Sequence, residues 1–200
     1  MIETSYVDLA FPLKGKSLPL DNGYIIYSAI SRICPNLHEL TNISIHPIAG
    51  IPNSSKQLRL TKRSKLQIRI AIEQIPLVYE FLVGQTFKIG QSQFHLGIPE
   101  YRALTSCSVL YSRLVIIRRC FEPQVFLEAA QRQLESLGIK GNIDILKKKN
   151  GQLQCRQLVM RKDIRTFPVR GYGVEVKDLS EEDSLKLQQH GIGGKKKMMC

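Results

Sequence analysis

The chain contains no tryptophan, and aromatic residues of all kinds make up only 7% of its 200 residues. It has no apolar run approaching the ~18 residues that span a bilayer, which argues against a helical membrane protein. Residues 1–12 carry Glu3 and Asp8 and lack a basic stretch followed by an apolar one, so they do not read as a secretory signal. The five cysteines (Cys34, Cys107, Cys120, Cys155 and Cys200) form no C-x-x-C pair and have no histidine at zinc-ligand spacing. That scatter argues against a structural metal site, and it is the pattern of a reduced, cytoplasmic protein. There is no G-x-x-x-x-G-K-[ST] phosphate loop and no RNP1-like Lys/Arg-Gly-aromatic run. No cofactor is expected.

What the chain does have is positive charge, unevenly placed. Lys and Arg number 29 against 17 Asp and Glu, a net charge of +12 with a pI near 9.6. Residues 1–52 hold 3 basic and 4 acidic side chains, and residues 73–139 hold 6 of each. The excess therefore lies in 53–72, with 6 basic and 0 acidic, and in 140–200, with 14 basic and 7 acidic. A solvated basic surface is the plain explanation, but concentration into two segments favours a polyanionic partner. No basic amphipathic helix stands out, so membrane headgroups are the weaker candidate.

The apolar pattern alternates between the periods of strand and helix. Tyr6 to Pro12 reads as a strand. Asp21 is placed to cap a helix whose apolar face is Ile25, Ile26, Ala29, Ile30 and Ile33, and Pro35 ends it. Ile43 to Ile48 and Leu66 to Ile70 read as strands either side of a basic loop. Residues 73–83 read as a helix with Pro76 in its first turn. Phe87–Ile89 and Phe94–Ile98 read as a hairpin around Gly90. This β-α-β-β-α-β order is the ferredoxin-like unit, and it recurs. Val109 to Arg119 reads as a strand. A helix opens at Pro123, buries Val125, Phe126, Ala129, Ala130, Leu134 and Leu137, and closes at Gly138. Strands follow near 142–147 and 153–162, and a strand or hairpin arm from Thr166 to Val176 extends the second. A last helix is capped by Ser180 with Asp183 and stops at Gly191, and a final strand should start near Met198. The expected fold is α+β, with two tandem ferredoxin-like (RRM-like) domains over 1–100 and 106–200 and a linker at 101–105.

His190-Gly191-Ile192-Gly193-Gly194-Lys195-Lys196-Lys197 is the most unusual segment. Its glycines could let backbone N–H groups face an anion, and its lysines supply phosphate-seeking charge. A helix cap followed by a basic tail is the equal alternative. Of the four histidines, His46 lies on the second predicted strand facing away from Ile43 and Ile45 and is expected to be exposed. His95 reads as structural, and His190 as a helix-end imidazolium. His38 follows the first helix on a connection able to reach a ligand.

Leu18-Pro19-Leu20-Asp21-Asn22-Gly23-Tyr24-Ile25-Ile26-Tyr27-Ser28-Ala29-Ile30, then Leu37-His38-Glu39, then the loop from Gly191 to Lys197, resemble the CRISPR repeat endoribonucleases, the Cas-six group, and most of all its myxobacterial type I subtype. The resemblance covers nearly the whole chain in order. It implies two ferredoxin-like domains, and a metal-independent endoribonuclease that cleaves precursor CRISPR repeat RNA by 2′-OH attack. The product would be a guide RNA with a 2′,3′-cyclic phosphate, held in a type I surveillance complex (Cascade) among other subunits. It implies His38 as the catalytic residue and Tyr27 as its partner. The family's lysine after that histidine has no counterpart, since no Lys lies between Glu39 and Lys56, and Thr41, Ser44 or His46 would have to substitute. The alternative is a catalytically inactive RNA-binding subunit. RNA contacts are expected from Gly191, Gly193, Gly194, Lys195, Lys196 and Lys197, from Lys62, Arg63 and Lys65, and from Lys147, Lys148, Lys149, Arg156, Arg161, Lys162 and Arg165. Relatives continue past the position of Cys200 with a further glycine and a short apolar strand.

Overall fold

A computed structural model describes residues 5–40, 43–162 and 165–194; at residue 38, 158–162 and 165–168 it describes the backbone. The chain divides into two units, Met1–Leu104 and Thr105–Cys200.

The first unit is built around β1 (Tyr6–Lys14), in which Leu9, Phe11 and Leu13 alternate into the core. A short β2 (Ser17–Pro19) leads into α1 (Gly23–Ile33), which buries Ile26, Ala29 and Ile30. Asn22, not Asp21, occupies the N-cap position. Its side chain makes no cap bond because it is committed elsewhere, accepting from the Ile48 N–H at 2.8 Å and donating to the Ile48 carbonyl at 3.0 Å. β3 (Ile43–Ile45) is shorter than the expected 43–48 strand. β4 (Ile51–Pro52) and β5 (Gln57–Arg59) fold the basic loop, with β2, into a three-stranded sheet β2-β5-β4, none of whose strands is predicted from the sequence. β6 (Lys65–Ala71) directs Leu66, Ile68 and Ile70 inward. α2 (Ile75–Leu82) carries Pro76 in its first turn, where the missing N–H has no helical partner to lose. β7 (Thr86–Ile89) and β8 (Ser92–Leu96) form the hairpin.

The main sheet runs β3-β6-β1-β8-β7, all neighbours antiparallel, with α1 and α2 packed on the face that carries Leu9, Phe11, Ile68 and Ile70. Counting the unit's β-α-β-β-α-β strands in turn, this is the 2-3-1-4 order of the ferredoxin-like fold. The stretch expected as a linker is largely a strand, β9 (Glu100–Ala103), paired to β1 from Val7 to Ala10. All four of its residues are exposed, so it carries no apolar alternation from which the sequence could have revealed it.

In the second unit, β10 (Leu110–Val115) ends earlier than the expected 109–119 strand. α3 (Pro123–Ser136) buries Phe126, Ala130 and Leu134, while Val125 stays exposed, contrary to its assignment to the apolar face. β11 (Asn142–Ile145), β12 (Cys155–Lys162) and β13 (Arg165–Lys177) complete the sheet, in order β10-β13-β11 with β12 also on β13. Tyr172 on β13 packs on Phe126, ring centroids 4.8 Å apart, and donates its hydroxyl to the Phe121 carbonyl at 2.5 Å. α4 (Glu181–His190) is capped as expected, the Asp183 N–H donating to the Ser180 hydroxyl oxygen at 3.1 Å. The order β-α-β-β-α matches the first unit through α4. The strand expected near Met198 lies outside the described residues.

Candidate active site

Pro35 cannot continue α1, and the residue before it, Cys34, leaves helical geometry at φ −118°, ψ 85°. The chain then makes a 3-10 turn over Pro35–His38, closed by the Leu37 N–H on the Cys34 carbonyl and the Glu39 N–H on the Asn36 carbonyl, both 3.0 Å. Leu37 and Cys34 are fully buried in the first unit's core, and burial pushes the Cys34 thiol up. The backbone of His38 is thus held beside a core anchor at the C-terminal end of α1. Tyr27 lies earlier on α1, half-buried against the same core, and its carbonyl accepts the Ser31 hydroxyl at 2.8 Å.

His46 is not where it was expected. Its N–H extends the sheet by donating to the Gln67 carbonyl at 3.0 Å, and its ring does face away from Ile43 and Ile45. The residue is half-buried, however, and its Nε2 is buried with no hydrogen-bond partner among the described residues. The same face carries Asp8, which accepts from Arg69 Nε and Nη2 and from Gln67 Nε2, all at 2.8 Å. Burial, and then the Arg69 charge, lower the His46 imidazole to about 4 against the opposing pull of Asp8. Burial pushes the Asp8 carboxyl up, but its hydrogen bonds and the Arg69 charge outweigh that and hold it below its ordinary value. His46 is therefore a neutral imidazole near neutral pH. It sits on the opposite side of the sheet from α1, so the fold does not bring it to Tyr27.

The glycine segment serves a different purpose from an open anion concavity. Gly191 caps α4 at φ 58°, its N–H donating to the Leu187 carbonyl at 2.8 Å. The Gly193 N–H donates to Gln133 Oε1 at 2.7 Å, and the Gly194 N–H to the Ile116 carbonyl at 2.7 Å. One amide thus closes α4, and the other two hold the loop against α3 and the residue just past β10. Gly193 has φ +89°, and a Cβ there would stand 3.0 Å from the Ile116 carbonyl oxygen and from Val115 Cγ1. Only glycine fits this approach. Lys195, Lys196 and Lys197 lie outside the described residues.

The remaining basic candidates separate by partner. Lys65 is bound to Glu100 at 2.6 Å. Lys62 and Arg63 are exposed, as are Lys147, Lys148 and Lys149 in the turn between β11 and β12. Arg156 on β12 is half-buried, with its Nε unpartnered among the described atoms. Arg161, Lys162 and Arg165 stand on the β12–β13 ribbon, which pairs in register from Cys155↔Tyr172 to Lys162↔Arg165. Sequence reasoning missed the Asp8–Arg69–Gln67 network. Its one signal was the polar member of each alternating pair on β1 and β6, which reads as solvent-facing unless the covering of that face is known.

A family model described as "Cas6 Crispr" matches residues 7–200. The chain belongs to the Cas6 CRISPR family. It is 31% identical over 195 residues to a protein named CRISPR-associated endonuclease Cas6 from Myxococcus xanthus (strain DK1622), covering 98% of this chain and 79% of that one. Among solved structures, a CRISPR associated protein Cas6 superposes with a TM-score of 0.63 at 12% identity, covering 98% of this chain and 97% of its own. A Cas6-related protein from Pyrococcus furiosus gives 0.59 at 15%, covering 98% and 96%. At those identities the structural likeness speaks for the fold, two ferredoxin-like units in tandem.

Proposed function

We propose that the chain is a CRISPR RNA endonuclease that binds repeat RNA and cuts it without a metal ion. In this reading the RNA's own 2′-oxygen forms a bond to the adjacent phosphorus while the bond from phosphorus to the 5′-oxygen breaks. The 2′-hydroxyl proton leaves to a base, a proton is supplied to the departing 5′-oxygen, and the products are a 2′,3′-cyclic phosphate and a free 5′-hydroxyl. His38 carries the proton transfer, a role to which an imidazole is suited. Tyr27 orients the 2′-hydroxyl or donates to a phosphoryl oxygen. The exposed lysines and arginines 62, 63 and 147–149, with those of the β12–β13 ribbon and the C-terminal loop, hold the phosphate backbone. The product stays bound within a type I surveillance complex. The observation that carries the reading is a family match spanning nearly the whole chain, with His38 on a core-pinned turn at the end of α1.

A second reading, an RNA-binding subunit without activity, draws on the absence of any lysine between Glu39 and Lys56 and on the burial of His46, which keeps it from substituting.

Incubation with a repeat hairpin in EDTA, beside the same RNA carrying a 2′-deoxy at the scissile nucleotide, tests both. The native chain cuts the ribose substrate in EDTA and leaves the deoxy one intact. Replacing His38 by alanine lowers the cleavage rate by roughly 100-fold or more while binding is retained. A strict need for Mg²⁺, or cleavage of the deoxy substrate, rules out the mechanism. Tight binding with no cleavage by the native chain establishes the inactive reading instead.

A further inference from the structure

The three-stranded sheet β2-β5-β4 lies outside the β-α-β-β-α-β frame of the first unit, and no part of the cleavage chemistry above uses it. Its inner face is anchored by Leu18 and Leu58, both buried and directly paired. Its outer face presents Ser17, Ile51 and Arg59, which pair with one another across the strands. Neighbouring backbone is tied down as firmly. The Leu60 N–H donates to the Lys16 carbonyl at 3.0 Å, so the stretch leading to Lys62 and Arg63 runs beside Lys16. The Thr61–Ser64 turn is closed by Ser64 N–H to the Thr61 carbonyl at 3.0 Å, Thr61 N–H to Ser64 Oγ at 3.0 Å and Arg63 N–H to Thr61 Oγ1 at 3.2 Å, and the Ser64 hydroxyl ties it to the Ala49 carbonyl at 2.7 Å.

This rigid frame carries Lys16, Arg59, Lys62 and Arg63, all exposed. None of the four has a carboxylate partner among the described residues, whereas Lys65 and Arg69 on the adjoining strand are neutralised by Glu100 and Asp8. Residues 53–72 contain no acidic side chain to complete the neutralisation. Cations without carboxylate partners on a fixed scaffold attract a string of phosphates. The outer face exposes no aromatic ring, so it has nothing on which bases stack, and its contacts are with backbone charge.

We propose that this accessory sheet is a sequence-independent clamp for the phosphate backbone of RNA, formed by Lys16 and Arg59 together with Lys62 and Arg63. The clamp rests on the RNA-binding reading above. It adds to that reading a defined surface, two residues (Lys16 and Arg59) outside the expected RNA contacts, and the prediction that this surface reads no bases.

The test compares the native chain with Lys16→Gln, Arg59→Gln, Lys62→Gln and Arg63→Gln combined, following binding to repeat RNA and to a scrambled RNA of equal length from low to high salt. The quadruple variant lowers the slope of log K against log salt by roughly 3, at ~0.7 per single-strand phosphate contact. The loss in affinity is the same fold for both RNAs. A charge-preserving variant with Lys16→Arg, Arg59→Lys, Lys62→Arg and Arg63→Lys keeps the native slope, which separates lost charge from lost folding. An unchanged slope in the quadruple variant, with tight binding by the native chain, overturns the clamp alone. A loss confined to the repeat sequence overturns its indifference to bases. Failure of the native chain to bind RNA at all overturns both this proposal and the functional reading beneath it.

Discussion

At the scale of single residues, His46 shows how the same side chain changes meaning with its surroundings. In an unfolded chain its imidazole titrates near the ordinary 6.5, and in the folded protein at about 4. Between those values the unfolded state binds the extra proton, so stability is fully present above about pH 6.5 and declines as pH falls towards 4. A shift of that size corresponds to about 3 kcal/mol. Below that window the Asp8 carboxyl, held low by Arg69, adds a further loss as it protonates. Chemical denaturation between pH 7.5 and 4.5 should show the decline, and His46→Gln should flatten it. A native-like slope in His46→Gln would place the acid sensitivity elsewhere. His38 contrasts with this: its backbone is fixed through Leu37, and the sequence already marked it by its Leu-His-Glu context.

Among the elements, the C-terminal glycine loop is the one whose role changed most. Composition left open amide groups facing an anion and a helix cap before a basic tail as equal readings; Gly191 does cap α4, and the three amides turn to Leu187, Gln133 and Ile116. Glycine is required here for close approach to β10. Gly193→Ala combines a positive φ with contacts at 3.0 Å to Ile116 and Val115, whereas Gly151→Ala, at φ +79°, meets nothing within 4 Å. Strain from φ alone costs about 1–2 kcal/mol, and about 1 kcal/mol shifts the Tm of a domain this size by roughly 4–8 °C. Thermal melts should therefore show Gly193→Ala lowered by clearly more than Gly151→Ala. Equal shifts would mean that the loop does not pack as tightly as described. β9 and the accessory sheet β2-β5-β4 teach a related lesson. Their strands are two to four residues long and mostly exposed, too short to display a period, so only their hydrogen-bonded partners reveal them.

For the molecule as a whole, the first unit contains its own core. The cluster from Leu9 to Leu96 closes within residues 1–104, and β9 completes its sheet before residue 104. Residues 1–104 expressed alone should therefore fold cooperatively, with dispersed amide resonances and a single denaturation transition. A truncation at residue 100 removes β9 after its first residue and should be less stable. An unfolded 1–104 fragment would show that the unit depends on the rest of the chain. The sequence by itself determined the order of the long elements, the ferredoxin-like topology and the polyanion-seeking charge. All of these follow from local periodicity, from proline and glycine punctuation, and from counting. Tertiary structure alone decided which cations stay without a carboxylate partner, that Asp8 and the His46 Nε2 on the polar face are buried, and that the glycine loop docks on β10. Each of these depends on residues distant in sequence, such as Asp8 with Arg69, Lys65 with Glu100 and Gly193 with Gln133, and pairings of that kind leave no periodic trace along a single chain.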